Sequence, residues 1–244
     1  MSLFRAIVFT SVLAGLIVGL AVSAVQLLGT SQLILQAEVY EKAGQAQLPA
    51  VHEHVHPQGM VGDDPSALTA HEHGTDSWEP SDGLERNALT AVANILTAIG
   101  YSLVLTGLIA LRGRPATWRD GLTWGLAGFA CVMIAPMLGL PPELPGTPSA
   151  PLVARQIWWI GTALATAAGI ALISFQRTLR AAVPAIVLIV APHIIGAPTA
   201  PMGEHALAPE DLAHQFVMVA VFSSLVFWAL LGTLSTTILG KFKV

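Results

Sequence analysis

The chain has 244 residues, of which 54% are hydrophobic and only 11% charged, with a net charge of −4 and a mean hydropathy of +0.67. Soluble domains carry roughly a quarter charged residues, so this chain has too little charge to cover a water-soluble surface and falls in the membrane class. Its single cysteine, Cys131, lies in an apolar run and excludes both a disulfide framework and a cysteine-based metal site.

A spanning helix needs about 20 mainly apolar residues to cross about 30 Å of hydrocarbon. Six stretches are expected to do so: Ala6–Leu28, Ala88–Leu111, Leu122–Leu140, Gln156–Phe175, Ala181–Ala197 and Gln215–Leu239. None of them contains Asp, Glu, Lys or Arg. The fifth is short and interrupted by Pro184 and Pro192. The first, with Arg5 before it and Ala-Val-Ser-Ala at 21–24, has some features of a cleavable signal. Its apolar run continues past that point, so a retained helix is expected.

Threading six spans alternately places Arg5, Arg112, Arg114, Arg119, Arg177, Arg180, Lys241 and Lys243 on one side. Lys42, Arg86 and Arg155 fall on the other, together with every acidic residue except Asp120. Basic residues accumulate on the cytoplasmic side, which predicts cytoplasmic N and C termini. The fold class is therefore an all-α integral membrane bundle of about six transmembrane helices. It divides into the first helix (1–29), an acidic His-bearing exterior loop (30–87) and a five-helix region (88–244). The loop's Gly- and Pro-rich composition predicts a mostly irregular segment.

An internal echo suggests parallel helical-hairpin repeats of the kind transporters use. Ala135-Pro136 is followed by Gly139, Pro142 and Pro145, and Ala191-Pro192 by Gly196, Pro198 and Pro201. Small residues inside the spans (Gly15, Gly19, Gly100, Gly125, Gly128, Gly161 and Gly169) would allow close helix packing.

All eight histidines fall on the outer side or at outer helix ends. His193, His205 and His214 belong to the second hairpin, near Met202 and Glu204, with Glu143 at the matching turn of the first. Imidazole, carboxylate and thioether together suit borderline divalent metals such as cobalt, nickel or zinc. His193 follows Pro192, where the helix is expected to break, and broken helices beside a cavity can form ion sites. In the loop, His52, His54 and His56, and again His71 and His73, alternate as ligands on one face of an extended strand. His52–His56 also matches H-E-x-x-H, but Pro49 and Pro57 bracket it and remove the helix that a zinc protease needs. No phosphate loop or G-x-S-x-G is present, so no enzyme is expected.

Ile34–Glu41 after the first helix, Asp82–Arg86 before the second, Leu138–Gly146, Ala154–Trp159 and His214-Gln215-Phe216 resemble the CbtA family of cobalt transporter subunits. The resemblance covers nearly the whole chain. It implies a prokaryotic inner-membrane protein that takes up cobalt as substrate, with no permanently bound cofactor. It also implies a small single-span, His-bearing CbtB-type partner in the lipid bilayer, and no nucleic acid. Two other readings stay open: a metal-binding accessory protein that transports nothing, and a haem protein with His193 and His214 as axial ligands.

Overall fold

The computed structural model describes residues 2–47, 80–113, 116–203 and 205–242. Helices follow one another in the order α1 (Leu3–Leu28), α2 (Thr30–Gln47), α3 (Leu84–Leu111) and α4 (Trp118–Phe129). A π-helical turn over Ala130–Ile134 leads into α5 (Ala135–Met137), then come α6 (Leu152–Gln176), α7 (Leu179–Ile195) and α8 (Glu210–Leu239). Among the described residues, five helices are long and apolar enough to cross a membrane: α1, α3, the composite Trp118–Met137, α6 and α8. The sixth expected span, α7, is apolar but has 17 residues and holds Pro184 and Pro192. An all-helical membrane bundle is thus what the chain forms.

The segment expected to be an irregular loop begins instead with α2, which is helical over 18 residues. Its Gly-poor first half supplies the reason, since Gln32–Glu41 contains neither Gly nor Pro. The one acidic residue on the basic side, Asp120, has a local role. Its carboxylate accepts from the Thr117 N–H at 2.9 Å while the Thr117 hydroxyl accepts from the Asp120 N–H, closing a capping box at the start of α4.

Close helix contacts fall where glycine permits them. A Cβ at Gly15 would stand 2.5 Å from the Ile99 side chain, and one at Gly19 2.5 Å from the Ile95 Cα, so the backbones of α1 and α3 approach closely at both glycines. Gly121 and Gly125 of α4 lie against Gly232 and the Trp228 carbonyl of α8, and Gly169 of α6 against Ala185 and Ile189 of α7. Gly100 and Gly161 face open space instead. The buried core of the long helices is Val18, Val22, Ala98, Leu105, Ile109, Trp228 and Leu231.

The end of the bundle carrying α2 and the long turns, here the loop end, has a smaller core of its own. Ala37, Leu144, Ala208, Leu212 and Phe216 close it, so α2, both turns and the head of α8 meet there. The turns, 138–151 and 196–209, are equal in length and joined by a bond from the Leu207 N–H to the Gly146 carbonyl. Helix packing does not repeat in the same way. Among the described residues α4 lies on α8 and α6 on α7, so the helices joined by each turn diverge rather than pair along their length.

Candidate metal-handling site at the loop end

The site is built around a backbone irregularity. Pro136 carries no N–H, so the carbonyls one turn below it lose their donor, and the helix widens into the π turn that closes with Ala135 N–H to the Ala130 carbonyl. Such single π turns concentrate at functional positions. Val132 and Met133 of this turn, with Pro142, form a wall shared by two cavities.

The cavity on one side, about 670 Å³, is lined by Met133, Met137, Glu143, Arg155, Gln156 and Trp159. Glu143 is held by Arg155 at 2.9 Å, both side chains partly exposed, which ties the first turn to α6. The cavity on the other side, about 610 Å³, lies between α1, α2, α3 and α8. Arg86 stands at its mouth, paired with Glu38 of α2 and with Asp82 at 3.2 Å. Two segments distant in sequence, Ile34–Glu41 and Asp82–Arg86, are joined by that Arg86–Glu38 pair.

The anticipated ligands occupy separate places. His193 is half-buried near the end of α7 with its ring edge-on to Trp158, centroids 5.9 Å apart. Trp158 in turn donates its indole N–H to the Pro192 carbonyl at 3.2 Å, so the proline's neighbourhood is fixed by α6. His214 is exposed on the first turns of α8 and lies 3.8 Å from Glu210, one helical turn earlier. His205 and Met202 are exposed in the second long turn. Glu204 and the loop residues His52, His54, His56, His71 and His73 lie outside the described residues. Among the described residues no three His, Cys, Asp or Glu side chains come close enough together to hold a metal ion. The α7–α8 divergence is the physical reason: His193 turns toward α6, while His214 rides on α8.

The spans hold neutral polar groups that their lack of charge conceals in the sequence. Gln26, Asn94, Tyr101, Ser223 and Met133 all line the 610 Å³ cavity. The signal available was the placement of two amides, Gln26 and Asn94, inside apolar segments, where polar groups are costly and usually functional.

The family model described as "Probable cobalt transporter subunit (CbtA)" matches residues 4–240. The chain belongs to this family. It is therefore a multi-pass membrane subunit of the cobalt-transporter type, and the match runs through every helix described above. No curated protein and no solved structure shows a significant match.

Proposed function

We propose that this chain is the inner-membrane subunit of a cobalt uptake system, receiving the ion at the loop end and passing it through the bundle. Membership in the CbtA family carries the reading. The distribution of charge supports the orientation, because threading six spans alternately puts the termini and most Lys and Arg on the side opposite the acidic segment. In this reading His52, His54, His56, His71 and His73 raise the local concentration of metal. His205, Met202, Glu204, His214 with Glu210, and His193 then act as successive weak contacts rather than as one closed cage. Weak stepwise contacts suit transport, since an ion that binds tightly leaves slowly. Glu143 joins them only when Arg155 releases it. A small single-span, His-bearing partner completes the system, and no catalytic step is involved.

The test is cobalt uptake by cells carrying His193→Ala or His214→Ala. Each variant is expected to insert and accumulate normally and to lose most uptake. Uptake equal to that of the parent in both would show that these histidines are not on the ion's route.

A further inference from the structure

We propose that the cavity between α1, α2, α3 and α8 is a binding site for a partly hydrated divalent cation, formed by neutral donors: the Asn94 carbonyl, the Ser223 hydroxyl, Gln26, Tyr101 and the Met133 thioether. The inference deepens the uptake reading and rests on it.

The hydrogen-bond chain fixes which atoms are free. The Ser23 hydroxyl donates to the Gly19 carbonyl at 2.7 Å, so its oxygen can only accept from a side-chain partner. The Asn94 amide nitrogen lies 3.0 Å from that oxygen and 2.7 Å from Gln26 Oε1. In this arrangement both Asn94 protons are committed. The Asn94 Oδ1 is left as an uncommitted acceptor on a residue that lines the cavity.

Across the cavity, Ser223 of α8 is 3% exposed, and among the described residues its hydroxyl has no hydrogen-bond partner. A buried hydroxyl left unpaired is costly, and a turn about the Ser223 Cα–Cβ bond would bring this one to a ligand in the cavity. Met133 comes from the π turn, where Pro136 has also deprived the backbone of a donor. The lining thus offers oxygens and a thioether, and among the described residues its charged members are Asp82 and Arg86 at the start of α3.

Size and depth agree with an ion that keeps part of its water. Six waters at about 30 Å³ each occupy about 180 Å³, well within the cavity volume of about 610 Å³. The lining runs from Arg86 to Tyr101 on α3, about 20 Å at 1.5 Å per residue. At its deep end Tyr101 and Trp228 pack together, ring centroids 4.9 Å apart, above the apolar core of Val18, Leu105 and Leu231. Its charged lining residues thus lie at the loop end, and the aromatic pair and the apolar core lie at the end nearer the termini. Neutral donors favour a cation over an anion and hold it loosely enough to release it.

The experiment uses the purified full-length chain with His52, His54, His56, His71 and His73 all changed to Ala, which removes competing loop ligands. Binding of Co²⁺ alone is measured by equilibrium dialysis, and cobalt uptake is measured in cells. Asn94→Leu combined with Ser223→Ala is expected to weaken binding and uptake at least tenfold. Asn94→Asp, nearly the same shape, is expected to tighten Co²⁺ binding about tenfold by adding a charged ligand once the Ser23 hydroxyl and the Gln26 amide turn to donate to its inner oxygen, a gain that misfolding cannot mimic. Unchanged binding in Asn94→Asp overturns the site, as does parental uptake in the double variant, and either leaves the uptake reading standing. A parent chain that moves no cobalt with its partner present overturns the uptake reading and this site with it.

Discussion

Replacing Gly125 with Ala tests the packing on which the bundle depends. A Cβ at this position would stand far inside contact distance of the Trp228 carbonyl oxygen on α8. Ordinary carbon–oxygen approaches begin at about 3.3 Å, so α4 and α8 must part by roughly 1 Å at their crossing. Gaps of that size forfeit a quarter to a half of each dispersion contact, and overpacking of this kind costs about 1–3 kcal/mol. Gly100→Ala and Gly161→Ala are the controls, because nothing lies within 4 Å of a Cβ at either position. They are expected to be neutral or stabilising by up to about 1 kcal/mol through helix propensity. Cys131 supplies the assay. It is the sole cysteine and is buried, so a thiol-reactive fluorophore reports its exposure on thermal unfolding in detergent. At about 2–4 °C per kcal/mol for a chain of this size, Gly125→Ala should lower the midpoint by several degrees. A midpoint unchanged by Gly125→Ala, or lowered equally by all three, would refute the account of which glycines lie in contact.

Other outcomes follow from the same picture. Reporter fusions after Gly113 and Thr178 should read as cytoplasmic and fusions near Gly74 and Ser149 as exterior; an exterior signal at Gly113 or Thr178 would contradict the six-span topology. Replacing His52, His54, His56, His71 and His73 with Ala should reduce uptake when cobalt is scarce and leave it nearly intact when cobalt is abundant. Loss under both conditions would make the tract an obligatory site instead of a collector. Because an imidazole must be neutral to ligate metal, the tract's contribution at scarce cobalt should also shrink as the medium is acidified, measured as the difference between parent and five-Ala variant.

The membrane class, the helical architecture and the positions of the long helices were readable because unbroken apolar runs leave few alternatives. Helix α2 was harder, since Thr30–Gln47 is amphipathic only weakly and shares, through Ala37, a buried cluster with Leu144, Ala208 and Phe216 far along the chain. The hairpin echo correctly marked two turns of equal length but implied that α7 and α8 lie together. Packing is decided instead by glycine contacts, Gly121 and Gly125 with Gly232, and Gly169 with Ala185, which pair α4 with α8 and α6 with α7. Glu143 was visible as a candidate ligand, whereas its capture by Arg155 depends on the fold of the first turn. The cavity of Asn94 and Ser223 joins α3 to α8 across more than a hundred residues, and no local pattern announces it.

Accumulation of radioactive cobalt by cells expressing this chain with its small partner, against cells expressing the partner alone, tests the central claim most directly. The account predicts uptake that requires this chain and brings cobalt into the cytoplasm. Equal accumulation in both strains, with the chain present in the membrane, would contradict it.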